Sequence, residues 1–176
     1  ATMFPMSISG TTKRARTNGP SGPTYHHGDL RQALLQTARE LASEVGIDGF
    51  SMREVSRRAG VSHAAAYNHF ADRSALVRAL AVEAFRALTQ ATLRAQSDVQ
   101  GLRERLQAVG IAYVAFAFER PAEFRFMFRP ELCAPGLRDD AALEAAGREA
   151  YNVLVDAVRA ARAAEAVHGD VEALTL

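Results

Sequence analysis

The segment SMREVSRRAGVSHAAAYNHFADR, residues 51–73, decides the fold of this chain, because it predicts two short helices joined by a tight turn. Ser51 is suited to cap the first helix, and Glu54 three residues later completes a capping-box pattern. Gly60 stands where a helix commonly ends with a residue in the left-handed conformation. Ser62 is then the cap of the second helix. The segment as a whole therefore predicts a helix-turn-helix.

The second helix, predicted over 63–70, has the surface of a helix that enters the major groove of DNA. Small and polar side chains occupy its outward positions, where they allow base edges to approach closely. Asparagine can pair with adenine, and an alanine methyl group can meet the methyl group of thymine. We predict base contacts from this helix and from the helix before it. The predicted residues are Arg53, Ser62, His63, Ala64 and Asn68, and for Asn68 the alternative partner is a phosphate.

These residues resemble the DNA-binding domain of TetR-family transcriptional regulators. The resemblance runs from YHHGDLRQALLQTA (25–38) through SMREVSRRAGVSHAAAYNHFADRSAL (51–76), and its hallmark is the run Tyr67-x-His69-Phe70 followed by Asp72-Arg73. Lys is the usual residue at position 73, and Asn68 stands at a variable position. The resemblance implies that the DNA interface includes Ser51 and that phosphates are held by Tyr67, His69 and Arg73.

The charge is divided unevenly along the chain, although the net charge is only +1. Residues 1–80 carry ten Lys and Arg against six Asp and Glu, whereas residues 81–176 carry eleven against fourteen. The positive half coincides with the predicted helix-turn-helix, as binding to DNA phosphates requires. Abundant alanine, the absence of Trp and a 48% hydrophobic content favour an all-α fold with a packed core.

We expect three parts in the chain. Residues 1–24 are predicted to be a disordered basic arm, which is either a solvated tail or a segment that touches DNA. Residues 25–73 are predicted to form a three-helix DNA-binding domain, because apolar residues recur at helical spacing over 29–45 ahead of the helix-turn-helix. Residues 74–176 are predicted to form a helical regulatory domain. The expected core anchors between the first three helices are Phe50 and Phe70.

Helical spacing also divides the regulatory part. A long helix is expected from Asp72 to about residue 96, and a second from about Leu102 to Phe118. A short helix should begin at Pro121, since proline suits the first turn. A loop is expected over 130–136, before another long helix over 139–164.

The segment FERPAEFRFMF, residues 118–128, resembles the C-terminal type of the family that is called WHG. In the family the last two long helices pair with a second subunit as a four-helix bundle, so 139–164 is the expected first member of that pair. The second member would begin at Asp170, and the sequence ends within its first turns. We therefore expect either a regulatory domain that is incomplete at its C-terminal end or a different mode of dimerisation.

Aromatic residues and methionine are concentrated in the regulatory part, and they predict a pocket for a small apolar or aromatic effector. The alternative for each single residue is ordinary helical core. Arg125 and Arg129 could serve an anionic effector or simply reach solvent. The predicted ligand-binding residues are Tyr113, Phe116, Phe124, Met127 and Tyr151.

Metal binding and catalysis find no support in the sequence. His63 and His69 are six residues apart on one helix, so they do not share a face, and no glycine-rich phosphate loop or catalytic set is present. We expect no cofactor and no enzymatic activity. The lone Cys133, the lack of a long apolar run and the lack of a signal peptide predict a cytoplasmic protein that does not enter membranes.

Together these features predict a ligand-responsive transcriptional repressor that binds a palindromic DNA operator as a homodimer. The alternatives are a transcriptional activator of the same family and a helical interaction module that does not bind DNA. The charge division and the intact recognition helix argue against the second alternative.

Overall fold

The helices of this chain begin and end at local signals in the sequence. The computed structural model describes residues 27–129 and 140–163, and every regular element within these ranges is a helix. The all-α fold is therefore confirmed. The described helices are α1 (His27–Val45), α2 (Met52–Arg58), α3 (His63–His69), α4 (Arg73–Ser97), α5 (Leu102–Glu119), α6 (Pro121–Met127) and α7 (Ala141–Ala163).

Three N-caps follow the same geometry. In each of them an oxygen of the capping side chain accepts a hydrogen bond from the backbone N–H three residues later, which satisfies a donor that the first helical turn leaves unpaired. The distances are 3.2, 3.1 and 2.6 Å at Ser51, Ser62 and Asp72, respectively. The predicted starts of α2, α3 and α4 are thereby confirmed.

The turn between α2 and α3 is a Schellman motif. Gly60 has a φ of +70°, and its N–H donates to the carbonyl of Arg57 at 3.2 Å. The N–H of Val61 donates to the carbonyl of Ser56 at 3.0 Å, and the Val61 side chain packs against the core. The two bonds satisfy carbonyls at the end of α2 and set the angle at which α3 leaves the turn.

One core joins α1, α2, α3 and the first turns of α4. Phe50 and Phe70 are each 3% exposed in it, which confirms both as core anchors. Phe126 of α6 belongs to the same core and is fully buried, whereas Phe128 is exposed. Helix α6 thus reaches into the DNA-binding part.

A second core lies along the C-terminal half of α4. Its buried residues are Ala84 and Leu88 of α4, Phe116 of α5 and Met127 of α6. Helix α7 packs beside it and is capped by the preceding Asp140, whose Oδ1 accepts the N–H groups of Ala142 and Leu143 at 3.1 Å each. The predicted arm, the 130–136 loop and the helix expected from Asp170 lie outside the described residues.

Helix α5 is apolar on opposite sides. Val109 and Phe116 are buried, while Ile111, Val114 and Phe118 on the outer side are 60%, 52% and 83% exposed. A helix that is hydrophobic all round is typical of a protein interior or a membrane span. No helix among the described residues, however, has the length and apolar character to cross a bilayer.

Candidate nucleic-acid interface and effector region

Helix α3 turns one face to the protein and the other to solvent. Ala66 is fully buried and fixes the inward face. Because the Schellman turn and the core hold the helix on this side, the opposite face is presented as a rigid surface. The exposed side chains on it are Ser62, His63, Ala64, Tyr67 and Asn68, all of which the sequence predicts at the DNA interface.

His63 and Tyr67 contact each other on this surface. Their ring centroids are 4.7 Å apart with an interplanar angle of 69°, an edge-on arrangement between residues one helical turn apart. The contact restricts the rotamers of both side chains. Tyr67 remains 42% exposed, so its hydroxyl group can still donate to a DNA phosphate.

Arg53 lies beside His63 across the turn. Both residues line an open depression of about 550 Å³ between α2 and α3, together with Arg57 and Val61. Arg53 forms no ion pair with any residue that the structure describes, so its guanidinium is available to DNA. The structure thus brings together two residues from which the sequence predicts base contacts.

Arg57 is a residue at this surface that the sequence reasoning missed. It follows Arg53 by four positions and therefore shares its helix face, which is the signal that could have found it. Its Nη2 donates to Glu54 Oε1 at 2.7 Å, and its Nε donates to Oε2 at 3.0 Å. This hydrogen-bonded pair lowers the pKa of Glu54, so the carboxylate stays charged and neutralises Arg57.

Arg73 is directed partly into the protein. Its Nε donates to the carbonyl of Phe50 at 3.1 Å, and its Nη2 donates to the carbonyl of Ile47. The guanidinium carbon also lies 4.8 Å from the centre of the Phe50 ring. The residue therefore ties the start of α4 to the loop between α1 and α2. A phosphate contact by Arg73 would have to use Nη1, which takes part in neither of these hydrogen bonds.

Two further predicted residues lie at the rim of the interface. Ser51 is exposed at the N-terminus of α2, where its hydroxyl oxygen serves the helix cap. His69 is half-buried at the end of α3 and lines a crevice with Arg31 and Phe70. Seven of the nine predicted DNA-binding side chains are thus exposed around α2 and α3, and only His69 and Arg73 are partly enclosed.

The predicted effector residues divide into two groups. Tyr113 and Phe124 pack edge to face, with ring centroids 5.6 Å apart, and Phe124 in turn lies 5.0 Å from Phe128. Burial raises the pKa of the Tyr113 hydroxyl. Phe116 is 4% exposed and belongs to the second core. These three predicted residues therefore form a continuous aromatic and apolar layer.

The other two predicted effector residues border an open cavity. Met127 and Tyr151 line a volume of about 530 Å³ between α4, α6 and α7, together with Phe85, Gly147 and Arg148. Tyr151 is 46% exposed, so its ring can reach a guest in this cavity. Two of the five predicted effector residues thus line one open volume.

A second groove of about 540 Å³ lies farther from the helix-turn-helix. It runs between the end of α4, the start of α5 and the outer half of α7, and it includes Leu93, Leu102, Arg105, Val153 and Ala157. None of these residues is among the predicted effector residues. Its walls come from the junction of α4 and α5 and from the distant α7, so no local pattern of the sequence marks the groove.

Helix α6 joins the regulatory part to the DNA-binding part. Its neighbouring residues Phe126 and Met127 belong to two different cores. Directly after the helix, the Arg129 guanidinium is paired with the carboxylate of Asp48, in the loop between α1 and α2. Hydrogen bonds from Arg129 lower the pKa of Asp48. A displacement of α6 would therefore change contacts in both the DNA-binding part and the regulatory part.

The described residues contain no group of three His, Cys, Asp or Glu side chains that could hold a metal ion.

Models of two parts of one protein family match the chain. The model described as bacterial regulatory proteins of the tetR family matches residues 34–80, and the model described as the tetracyclin repressor-like C-terminal domain matches residues 106–176. The first covers the helix-turn-helix and the second covers most of the regulatory part.

Curated relatives match the N-terminal part. The tetracycline repressor protein class C of Escherichia coli is 43% identical over 51 residues, which are 29% of this chain and 23% of that protein. The class D repressor of Escherichia coli is 38% identical over 53 residues, which are 30% of this chain and 24% of that protein. The chain thus matches only about a quarter of the length of these relatives.

Solved structures match over most of the chain. A protein of unknown function from Rhodococcus sp. RHA1 is 37% identical, with a TM-score of 0.73 over 85% of this chain and 76% of that chain. A bacterial regulatory protein in the tetR family from Rhodococcus RHA1 is 22% identical, with a TM-score of 0.69 over 82% and 76%. The TetR family transcriptional regulator PfmR from Thermus thermophilus is 20% identical, with a TM-score of 0.64 over 80% and 76%. The last two show the fold alone.

Proposed function

Because the chain belongs to the TetR family of bacterial regulatory proteins, and is therefore a DNA-binding transcriptional regulator, we propose that it is a repressor that a small molecule releases from a palindromic operator. The observation that carries the proposal is the exposed face of α3, which lies next to Arg53 and is held rigid by the turn at Gly60. Repression follows if the bound protein covers a promoter.

Sequence recognition is assigned to α3 and Arg53. The side chains at the start of α3 are short, so the backbone of this helix can approach base edges in the major groove. His63 and Arg53 supply hydrogen-bond donors at neighbouring positions of the same depression. Tyr67, at the flank of the helix, is suited to hold the phosphate backbone.

A dimer on a palindrome is the arrangement that this unit favours. One recognition helix of seven residues reaches only a few base pairs, which is too little to select a site in a genome. Two copies related by a two-fold axis would read two half-sites one helical turn apart or a multiple of it. Following the family resemblance, we assign the contact between subunits to α7.

The effector is proposed to bind beside Met127 and Tyr151. The cavity there is lined by the apolar and aromatic side chains of Phe85, Met127, Leu143 and Tyr151, which suit an apolar or aromatic guest, and by the charged Glu144 and Arg148. Met127 lies one residue after Phe126, so a guest that moves α6 would disturb the core beneath α1 to α3. An effector with higher affinity for a subunit arrangement that no longer fits the operator would shift the population away from DNA.

The decisive experiment is selection of bound sequences from random duplex DNA, followed by footprinting of the protein on the selected sequences. The expected result is one enriched motif with two-fold symmetry, protected on both half-sites. Arg103→Ala on α5, whose side chain is exposed and lies outside both the recognition surface and α7, serves as the control and should select the same motif, whereas His63→Ala should not. A failure to enrich any motif would reject sequence-specific binding.

Transcription in vitro from a promoter that carries the selected motif then tests the direction of control. We expect the protein to lower transcript yield and candidate effectors to restore it. A rise in transcript yield on adding the protein would instead establish the activator alternative.

A further inference from the structure

A crevice between the DNA-binding and regulatory parts is lined by two arginines, Arg31 and Arg86, that the proposed function does not use. It lies between α1, the end of α3, α4 and the start of α7, and its volume is about 370 Å³. Arg31 and His69 line it from the DNA-binding part, and Arg86 lines it from the middle of α4. Phe70 and Val82 form its floor, since both are buried.

The two arginines of this crevice have no acidic partner. Arg31 lies over the Phe70 ring, with its guanidinium carbon 5.2 Å from the ring centre. Neither Arg31 nor Arg86 is within ion-pair distance of a carboxylate in the parts of the chain that the structure describes. Both guanidinium groups therefore retain their capacity to bind an oxyanion.

The two carboxylates that line the crevice are already engaged. Glu83 pairs with Arg39, which is outside the crevice. The Oδ1 atom of Asp140 accepts two backbone N–H groups of α7, and its Oδ2 lies 3.6 Å from Nε of Arg78. Each negative charge thus has its own arginine. The excess charge at the crevice is that of Arg31 and Arg86.

From this arrangement we propose that the crevice is a binding site for a small multivalent oxyanion, such as a phosphate-bearing or polycarboxylate molecule. Guanidinium groups pair with phosphate and carboxylate through parallel hydrogen bonds, and two of them lining one crevice, from α1 and from α4, favour a ligand with more than one negative charge. The volume suits a molecule of the size of pyrophosphate or somewhat larger. His69 can donate a further hydrogen bond from the end of α3.

The consequence for DNA binding rests on the proposed function. His69 is a predicted phosphate contact, so an anion bound beside it would compete with the DNA backbone. An anion that also joins Arg31 to Arg86 would fix α1 relative to α4. The competition at His69 lowers the affinity for the operator, and it gives the protein a response to charged ligands that is separate from the cavity at Met127.

Binding of inorganic pyrophosphate to the DNA-free protein, followed by calorimetry at low ionic strength, tests the site without reference to DNA. We expect saturable binding to the wild type and a dissociation constant about tenfold higher in Arg86→Gln and in Arg31→Gln. Arg94→Gln is the matched control, because Arg94 is exposed on the same helix and does not line the crevice. Its dissociation constant should equal that of the wild type.

Arg86→Gln is the primary variant, since Arg86 is exposed and its replacement leaves the packing intact. Arg31→Gln also loses the contact with Phe70, so its thermal unfolding is recorded in parallel. Unchanged binding in Arg86→Gln overturns the proposal, as does an equal loss in Arg94→Gln or the absence of binding at millimolar pyrophosphate.

Operator binding provides a separate arm. At constant ionic strength, we expect pyrophosphate to weaken the wild-type complex with the selected operator at a concentration about tenfold lower than the one that weakens the Arg86→Gln complex. If pyrophosphate does not bind and Arg86→Gln instead flattens the salt dependence of DNA binding, the arginine contacts DNA and the anion site is refuted. Failure to select an operator would overturn the proposed function but not the calorimetric result.

Discussion

The guanidinium of Arg73 has two roles, since it stabilises the fold through hydrogen bonds and is also a predicted phosphate contact. Two of its nitrogens donate to the carbonyls of Phe50 and Ile47, and its plane lies against the Phe50 ring. These bonds satisfy backbone acceptors in the loop between α1 and α2. A charged side chain near DNA that is fixed in this way has little conformational entropy left to lose on binding.

We predict that Arg73→Ala lowers the free energy of unfolding by about 1–3 kcal/mol, since hydrogen bonds from a charged donor are lost. The variant should also weaken specific and random DNA alike and reduce the salt slope by about one unit. Urea unfolding and binding at several salt concentrations measure both effects. A changed sequence preference with an unchanged salt slope would contradict the phosphate assignment.

A second residue-scale prediction concerns base recognition by His63 and Arg53. Replacing either by Ala should change the preference at particular base pairs by roughly 1–3 kcal/mol, because one direct contact is removed. Binding to a panel of operator variants with single base-pair changes measures this. Arg58→Ala is the control, since Arg58 is paired with Glu44. Equal loss on every sequence would count against direct contacts by His63 and Arg53.

At the scale of elements, the turn between α2 and α3 sets the position of the recognition helix. Gly60 has open space around the place of a side chain, so only its φ of +70° opposes a larger residue. We predict that Gly60→Ala destabilises the protein by about 1 kcal/mol and weakens operator binding. Thermal unfolding and a binding isotherm report the two effects.

Gly110 provides the matched control for this substitution. It lies inside α5, is exposed, and also has open space around it, but its backbone is helical. Gly110→Ala should therefore stabilise the protein by roughly 0.5–1 kcal/mol, through the higher helix propensity of alanine. Stabilisation by both substitutions would show that the turn does not need a left-handed residue.

Helix α6 is the element that connects the two cores. Its seven residues include Phe126, buried against α1 and α4, and Met127, buried against α5. Pro121 at its start fixes φ without costing a hydrogen bond, since the first turn of a helix needs no donor there. A short helix with side chains buried in both cores is suited to transmit a displacement from one core to the other.

At the scale of the whole molecule, the ion pair of Asp48 and Arg129 links the two parts across 81 positions of the sequence. The hydrogen bonds from Arg129 lower the pKa of Asp48, and the charges of Arg129 and Arg73 add to this effect. Because the folded-state pKa is depressed, the pair stabilises the fold above the ordinary pKa of aspartate. That contribution is lost as the pH falls through the lowered pKa.

We therefore predict that Asp48→Asn lowers the free energy of unfolding near neutral pH and that its difference from the wild type disappears in acid. Urea unfolding across this pH range is the measurement. Asp98→Asn, at the exposed turn after α4, should show a smaller difference at neutral pH. A difference between Asp48→Asn and the wild type that persists in acid would contradict the role of the charge.

The effector response belongs to the same scale, because it requires both cores. We predict that Met127→Ala and Tyr151→Phe reduce effector-induced release from the operator, since both side chains border the cavity between α4, α6 and α7. Release is measured as the effector concentration that halves the bound fraction. Phe118→Ala, on the exposed side of α5, is the control. Should both variants respond like the wild type, the effector binds outside this cavity.

The sequence by itself determined the helices, the caps and the family. Ser51, Ser62 and Asp72 cap helices through bonds that span three residues, and the turn at Gly60 is closed within six. Such interactions are local, so the order of residues along the chain is sufficient to predict them. For the same reason, the exposed face of α3 could be assigned from the spacing of its residues alone.

Only the tertiary structure decided which distant side chains meet. The crossing of α1, α4 and α6 brings Arg73 onto the Phe50 carbonyl, separates the neighbours Phe126 and Met127 into two cores, and leaves Arg31 and Arg86 facing one crevice. These outcomes depend on the angles and distances between helices. Those are set by the sum of many packing contacts, and no short stretch of sequence contains that sum.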